Sequence, residues 1–324
     1  MPDCYKTINT AEIDISDQRY NIFSAVTQNQ AFLAESLKEI GLISPPIVRP
    51  SNNEMNNKYI IISGFNRIRA LNINNVQKLS VQVKDKSIKD YECLFIAIAD
   101  LAFRRPLTHA ELILAIVKLS SFFDKTQLSK KAPAVFNTKL SEHYIEELLT
   151  IGNLPHPALD LINKGNLALK AAKKLCSFQK DAVKVFLSLF SQIKVSLNIQ
   201  MEMIRNMFEI AAYEGISIQA LYETMGIQKL FEDENIDRIS TARKLRRMIY
   251  ERRYPALCMV QQTVKNKISA LNLPETIKIT PSENFESREF NISLTINKAD
   301  DPDKNIAALT DPILNSKLKD IFSL

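Results

Sequence analysis

The stretch ISGFNRIRAL, from Ile62 to Leu71, joins an apolar strand to a helix through a single glycine. Gly64 lets the backbone approach a ligand closely, and the free amides at the start of a helix favour anions. Arg67 can direct two guanidinium N–H groups at one phosphate. We interpret the stretch as a phosphate-binding turn. A tight turn with a surface arginine is the alternative interpretation of the same residues.

Short elements surround this turn on both sides. Apolar alternation and flanking turn residues predict strands in AEIDIS, PPIVRP, KYIIIS and LSVQVKD. The segment FLAESLKEI predicts a short helix that ends at Gly41. Four of its residues share an apolar face: Phe32, Leu33, Leu37 and Ile40. Residues 1–105 therefore predict an α+β domain of small elements.

The pattern changes at Pro106, after which helices dominate to about Pro255. Thr108 and Glu111 are spaced as a capping box, in which each side chain bonds the backbone amide of the other residue. Apolar positions then recur at helical spacing: Leu112, Ile116, Leu119 and Phe123. We therefore predict an all-α domain over residues 106–260.

The last region, residues 261–324, returns to strands. TIKIT and EFNISLTIN alternate apolar residues around a polar loop, which predicts a β-hairpin. Asp311 and Pro312 suit the N-cap and the first position of a terminal helix. Because a hairpin and one helix bury little surface alone, we expect this small α/β segment to pack on the body or to dimerise.

Composition excludes several classes of protein. The 324 residues are 46% hydrophobic and 24% charged, an ordinary balance for a globular chain. No apolar run approaches the roughly 20 residues of a membrane helix, and the N-terminus lacks a secretory pattern, so we expect a cytoplasmic protein with no membrane partner. The four cysteines are isolated and the three histidines lack a zinc or catalytic spacing. We therefore predict no catalytic residue.

The charge balance permits nucleic-acid binding, with a net charge of +6 and a pI near 9.0. The densest basic stretch is TARKLRRMIYERRYP. Four of its residues are candidate DNA-phosphate contacts: Arg243, Lys244, Arg246 and Arg247. A solvated helix face near acidic neighbours explains the same stretch equally well.

Four short boxes follow one another in the first part of the chain. LKEIGL ends a helix, and PPIVR, GFNRIRA and DLAFR follow it in that order. In order and spacing they resemble the N-terminal domain of ParB-like partition proteins, which has P-I-x-V-R, G-E-R-R-x-R-A and E-N-x-x-R boxes. The resemblance covers roughly residues 10–115 and implies a ParB/sulfiredoxin-like α+β fold.

The resemblance also implies a nucleotide site that binds CTP with Mg²⁺. The glycine-arginine box would hold the phosphates with Gly64, Asn66, Arg67 and Arg69. Three upstream residues would line the pocket: Gly41, Ser44 and Arg49. The last box would add a nucleotide contact and a metal ligand, at Arg104 and Asp100 respectively.

This chain departs from the family pattern where hydrolysis would occur. Phe65 and Asn66 stand in place of glutamate and arginine, and Leu101 stands in place of asparagine. Leucine cannot ligate a hard cation, which prefers oxygen donors. Because hydrolysis requires the metal and a positioned water, we expect nucleotide binding with weak CTP hydrolysis at most.

A second resemblance covers about residues 107–178. SEHYIEELLTIGNLP and the following ALDLINKGNLALKAAKKL are similar to the ParB helix-turn-helix region. The start of its recognition helix supplies candidate base and backbone contacts: Ser141, His143 and Tyr144. Nearby lysines supply candidate phosphate contacts: Lys130, Lys131 and Lys139. Three carboxylates on the same helix would repel DNA: Glu142, Glu146 and Glu147.

A further helix-turn-helix candidate lies downstream, in IAAYEGISIQAL over residues 210–221. Gly215 would make the turn and Ser217 would cap the second helix. An ordinary helical hairpin is the alternative, since such turns are common in helical proteins.

Three functional hypotheses remain. The leading one is a ParB-like DNA-binding homodimer of partition or regulatory type, switched by a nucleotide and working with a partner ATPase. The first competitor is an adaptor that keeps the fold and binds a protein partner. A nuclease-like activity ranks last, because no cluster of carboxylates suggests two-metal cleavage.

Overall fold

The computed structural model describes residues 4–22, 30–51, 59–233, 237–273, 276–282 and 289–295. The chain divides into two compact units. The first unit comprises Met1–Arg205 and Ser217–Ala242, and the second comprises Asn206–Ile216 and Arg243–Leu324. The division into residues 1–105, 106–260 and 261–324 stays a prediction.

Five strands of the first unit form one mixed sheet: β1 (Cys4–Asn9), β2 (Ile13–Asp14), β3 (Ile47–Pro50), β4 (Tyr59–Ser63) and β5 (Lys78–Val83). Their order is β1-β5-β3-β4-β2. The pairs β1/β5 and β3/β4 are antiparallel, whereas β3/β5 and β2/β4 are parallel. Three strands confirm the sequence prediction and β1 was not predicted.

The strand predicted in AEIDIS is shorter than expected. Only Ile13–Asp14 pair with β4, and Thr10–Glu12 form a short 3₁₀ turn. The side chain of Asn9 accepts a hydrogen bond from the amide of Ala11 at 3.0 Å. This local bond stabilises the turn at the expense of sheet pairing.

Three helices pack around this sheet: α1 (Gln30–Glu39), α2 (Phe65–Ile73) and α3 (Asp90–Ala102). The apolar face predicted for α1 is wrong in part, because Phe32 is 71% exposed and Ile40 is 69% exposed. The helix instead buries Ala34, whose carbonyl oxygen accepts a hydrogen bond from Asn74 beyond α2 at 2.6 Å. Helix α3 was not predicted.

Strand β4 lies at the centre of the N-terminal core. Ile61 packs with Phe65 and Ile68 of α2 in one buried cluster. The two neighbouring isoleucines, Ile60 and Ile62, are also buried, and α3 contacts the same strand. A strand covered on both faces explains why KYIII reads as a continuous apolar run.

Helices follow from residue 109 through to residue 269. The first are α4 (His109–Leu119), α5 (Lys125–Phe136), α6 (Glu142–Gly152), α7 (His156–Asn163), α8 (Leu169–Leu175) and α9 (Lys180–Gln192). They continue as α10 (Leu197–Glu214), α11 (Ile218–Thr224), α12 (Ile227–Glu232), α13 (Arg238–Arg253) and α14 (Pro255–Ser269). The capping box of Thr108 and Glu111 is confirmed at the start of α4.

The predicted hairpin is confirmed in the second unit. Strands β6 (Ile277–Pro281) and β7 (Phe290–Leu294) pair antiparallel, with Ile279 opposite Ile292. The terminal helix predicted from Asp311 lies outside the described residues. Within the described ranges, none of the helices has both the length and the apolar character needed to cross a membrane.

Candidate functional site

The turn at Gly64 connects β4 to α2 and requires glycine for two reasons. Its φ angle is +98°, in the left-handed region that other residues avoid. A Cβ atom at this position would also lie 2.9 Å from the Cβ atom of Pro46. The turn therefore brings α2 close to β3, with the amides of its first turn directed out of the helix.

Two arginines meet one carboxylate beside this turn. Arg67 of α2 binds Asp100 of α3 at 3.2 Å, and Arg104 binds the other oxygen of Asp100 at 2.6 Å. Ser63 also donates its hydroxyl proton to Asp100. Burial lowers the pKa of Arg67, and Asp100 opposes that shift. The carboxylate therefore binds both guanidinium groups.

Ser44 connects the same arginines to the segment before β3. Its hydroxyl accepts a hydrogen bond from Arg104 at 3.0 Å, and its carbonyl oxygen accepts one from Arg67. Gly64, Asp100 and Arg104 thus line one cleft, and Ser44 binds both arginines beside it. The family resemblance implied that these residues share a site, and their individual roles stay predictions.

The cleft between α2 and α3 has a charged side and an apolar side. Its volume is about 130 Å³. The charged side carries Arg67, Asp100 and Arg104, and the remaining wall is mostly apolar: Tyr20, Ile22, Ile62, Phe65, Ala97 and Leu101. This volume is below the roughly 300 Å³ of typical small-molecule sites. A larger ligand would have to move the arginine side chains that line the cleft.

Asn66 supplies an unsatisfied polar atom in the wall of this cleft. Its Oδ1 atom is buried and has no hydrogen-bond partner among the described residues. A buried acceptor without a donor costs free energy, so it favours a ligand that brings a hydroxyl or amino group. Together with Gly64 and the two arginines, Asn66 fits a ligand that combines phosphate with hydrogen-bond donors.

Four predicted pocket residues lie outside the described lining of the cleft: Gly41, Ser44, Arg49 and Arg69. Arg49 is buried, and its guanidinium binds Asp90 at 2.7 Å and the hydroxyl of Tyr20 at 2.9 Å. Arg69 donates to Gln18 at 3.3 Å. Gly41 ends α1 with a φ angle of +85°. Arg49 therefore contacts the cleft only through Tyr20.

Tyr20 is a cleft residue that the sequence did not reveal. It is 2% exposed and donates its hydroxyl proton to Asp90 at 2.5 Å. Burial raises the pKa of Tyr20 well above its ordinary value. The residue lies in a loop without periodicity, so only its neighbour Arg49, a charged residue in an apolar strand, hints at a buried polar partner.

The residues of the cleft do not fit a magnesium ion well. Asp100 is the single carboxylate in the described lining, and its oxygens already accept from Ser63, Arg67 and Arg104. The next residue, Leu101, offers no oxygen. No group of three metal-ligating side chains occurs in the part of the chain that the structure describes.

Helices α5 and α6 occupy the residues of the predicted helix-turn-helix, whose assignment stays a prediction. Asn137 ends α5 in the left-handed conformation with φ +52°, and Ser141 caps α6 by accepting from the amide of Tyr144 at 3.2 Å. Ser129 of α5 donates to the carbonyl oxygen of Leu140 at 2.7 Å, which fixes the turn. His143 is exposed at the start of α6 and Tyr144 is half-buried.

The carboxylates of α6 are less repulsive than the sequence suggested. Glu146 pairs with Lys125 at 2.9 Å, and Glu147 pairs with Lys173 at 2.5 Å. Hydrogen bonds from these lysines lower the pKa of both glutamates. His143 also lies 3.4 Å from Glu147. Local cations therefore offset two of the three negative charges.

The three candidate lysines near this motif are not equivalent. Lys130 and Lys139 are exposed, on α5 and in the turn respectively. The ammonium group of Lys131 lies over the rings of Phe95 and Phe123, at 5.8 and 5.3 Å from their centroids. Cation–π attraction competes with a phosphate contact at Lys131.

The basic stretch of α13, in the second unit, divides into two groups. Four residues are exposed: Arg243, Lys244, Arg246 and Arg247. Arg247 nevertheless pairs with Glu251 at 2.6 Å. Arg252 binds Glu214 through two hydrogen bonds, and Arg253 binds Glu209 at 2.8 Å. The last two arginines therefore fix α13 to α10.

The downstream turn also forms as predicted. Gly215 has a φ angle of +66°, and Ser217 caps α11 by accepting from the amide of Ala220 at 3.0 Å. This geometry is shared by ordinary helical hairpins. A DNA contact there stays a prediction.

Comparisons with known proteins extend the sequence resemblance. Residues 5–100 match the family model for the ParB N-terminal domain. The probable chromosome-partitioning protein ParB of Chlamydia trachomatis serovar D is 28% identical over 185 residues, which cover 55% of this chain and 63% of the relative. The chain thus spans less than two thirds of the relative that it matches. The resemblance to ParB-like partition proteins is confirmed.

Solved ParB structures are also similar to this chain. The truncated Caulobacter crescentus ParB complexed with CTP-gamma-S is 18% identical, covering 58% of this chain and 98% of its own, with a TM-score of 0.29. The same protein complexed to the parS site is 17% identical, covering 62% of this chain and 98% of its own, with a TM-score of 0.34. A Pnob8-like ParB-N domain is 17% identical, covering 80% of this chain and 97% of its own, with a TM-score of 0.37.

Proposed function

We propose that this chain, whose residues 5–100 match the ParB N-terminal domain, is a DNA-binding partition or regulatory protein controlled by a nucleotide. The nucleotide is of the CTP type and binds in the cleft between α2 and α3. The protein acts as a cytoplasmic homodimer together with a partner ATPase. The family resemblance supports these partners, and the geometry of the cleft supports the ligand.

The single observation that carries the proposal is the pairing of Asp100 with Arg67 and Arg104. One carboxylate holds two guanidinium groups beside a glycine turn and a helix N-terminus. A phosphate group carries more charge and more acceptor atoms than a carboxylate, so it competes for both arginines. The apolar wall and the free Oδ1 atom of Asn66 then suit the remainder of a nucleotide.

The switch follows from the position of Arg104. This residue lies in the link between α3 and α4, where the next residue, Arg105, binds Glu111 of α4 through two hydrogen bonds. A phosphate that draws Arg104 away from Asp100 acts directly on this link. Nucleotide binding therefore favours a different position of α4, the first helix of the helical region.

DNA binding is assigned to α5 and α6, with α13 as an additional basic surface. Lys130 and Lys139 contact phosphates, and the start of α6 presents Ser141, His143 and Tyr144 to the groove. Arg243 and Lys244 are exposed on α13 and add phosphate contacts. CTP hydrolysis is weak or absent in this proposal, because Leu101 offers no metal ligand.

Calorimetry tests the nucleotide site. CTP, with ATP, GTP and UTP as controls, is titrated into the wild type and into Arg67→Ala, with and without Mg²⁺. We expect CTP binding that Arg67→Ala weakens by at least about tenfold, since a charge-assisted bond to phosphate contributes roughly 1.5–3 kcal/mol. Arg238→Ala removes an exposed arginine of α13 and should leave the affinity unchanged. Absence of binding to every nucleotide would contradict the switch.

An adaptor function is the second candidate. It is favoured by Leu101, which offers no metal ligand, and by the glutamates on α6. A DNA-binding protein loses affinity for DNA steeply as the salt concentration rises. An adaptor shows no such salt-dependent binding to DNA. A nuclease has less support, because the described lining of the cleft contains a single carboxylate.

A further inference from the structure

Lys118 of α4 makes a long-range contact with the N-terminal loop. Its ammonium group donates to the carbonyl oxygens of Gln18 at 3.0 Å and Arg19 at 2.9 Å. These residues follow β2, whereas α4 opens the helical region. We call residues 15–22 the wall segment. One lysine thus joins the wall segment to the helix that follows the nucleotide-binding domain.

The wall segment also forms one side of the cleft. Tyr20 and Ile22 line the cleft, and each is 2% exposed. The hydroxyl of Tyr20 donates to Asp90 of α3 and accepts from Arg49 of β3. Because Gln18 and Arg19 immediately precede Tyr20, a shift of their carbonyl groups displaces the ring that lines the cleft.

The contact consists of two directional hydrogen bonds from one ammonium group. Lys118 is half-buried, and burial lowers its pKa. A lysine on a helix surface usually extends its charged end into water. Here two backbone carbonyl groups replace part of the lost hydration, through hydrogen bonds that the positive charge strengthens. The ammonium group is therefore held at one place on the wall segment.

We propose that Lys118 is a positioning residue that couples occupancy of the cleft to the position of α4. A ligand that packs against Tyr20 stabilises the wall segment, and through Lys118 it stabilises the contact with α4. The coupling is reciprocal, so a movement of α4 changes the affinity of the cleft. This inference rests on the proposed nucleotide site, but the link itself exists without a ligand.

The test compares Lys118→Met with the wild type and with Lys184→Met. Methionine keeps most of the apolar length of the side chain but cannot donate a hydrogen bond. Lys184 is an exposed lysine of α9 that pairs only with Asp181 three residues earlier among the described residues. Thermal unfolding first establishes that all three proteins are folded. Hydrogen exchange of the amides in residues 15–22 is then measured without nucleotide, and CTP affinity is measured by calorimetry.

We expect Lys118→Met to accelerate exchange in the wall segment and to weaken CTP binding, each by about tenfold, because two charge-assisted hydrogen bonds are lost. Lys184→Met should behave like the wild type in both measurements. Unchanged exchange in Lys118→Met would overturn the link. Unchanged CTP affinity beside accelerated exchange would overturn the coupling. If the wild type binds no nucleotide, the proposed function fails, and the exchange rates alone decide whether the link exists.

Discussion

At the scale of single residues, the two glycines Gly64 and Gly41 offer a direct comparison. Both have positive φ angles, but a Cβ atom would meet Pro46 at Gly64 and open space at Gly41. We expect Gly64→Ala to lower the free energy of unfolding by about 1–3 kcal/mol more than Gly41→Ala, because backbone strain and a steric clash add. Urea unfolding measures both. Equal losses would show that the contact with Pro46 is relaxed at no cost.

Several residues of the cleft were predictable because chemistry restricts them. A glycine before a helix and an arginine within its first turn predicted a shared site, and Gly64 and Arg67 do line one cleft, although their phosphate role stays a prediction. Tyr20 could not, because its role depends on a buried hydrogen bond to Asp90 across the fold. Arg49 was placed in the pocket by resemblance, whereas its charge is used to hold that same tyrosine.

At the scale of elements, the proposed helix-turn-helix of α5 and α6 gives different predictions for its lysines. Lys139 is exposed in the turn, whereas the ammonium group of Lys131 lies over two phenylalanine rings. Log affinity falls as log salt rises, and each lost phosphate contact reduces the steepness of this fall by about 0.9. We expect this decrease for Lys139→Ala and a smaller one for Lys131→Ala, measured by fluorescence anisotropy with duplex DNA. Equal decreases would mean that Lys131 leaves the rings to bind phosphate.

Elements with a clear period were predicted better than those without one. The capping box of α4 and the alternation of β6 and β7 follow from local spacing. Helix α3, with the sequence DYECLFIAIADLA, is apolar on most of its surface because it lies between the sheet and the helical region. Its sequence therefore shows no clear boundary between polar and apolar faces, although its buried residues recur at helical spacing. The face of α1 was misjudged because burial of Ala34 against α2 is a property of packing and not of local pattern.

At the scale of the whole molecule, the nucleotide switch requires reciprocity. If CTP changes the affinity for DNA by a given factor, DNA must change the affinity for CTP by the same factor. We expect a factor of roughly 5–150, the usual range of allosteric coupling. The two affinities are measured at one fixed salt concentration, with CTP and one duplex DNA. The matched factors distinguish a switch from two independent sites on one chain.

Lys118→Met tests whether this coupling runs through the contact of Lys118 with the wall segment. Lys118 binds Gln18 and Arg19 and so joins the cleft wall to α4. Loss of this link should bring towards one the factors by which CTP and DNA change each other's affinity. The affinity for duplex DNA without nucleotide should stay unchanged. Lys184→Met should preserve the wild-type factors. Retention of the full factors in Lys118→Met would place the coupling elsewhere, with Arg104 and the α3–α4 link as the remaining route. Factors of one in the wild type would instead leave the adaptor as the better description of the molecule.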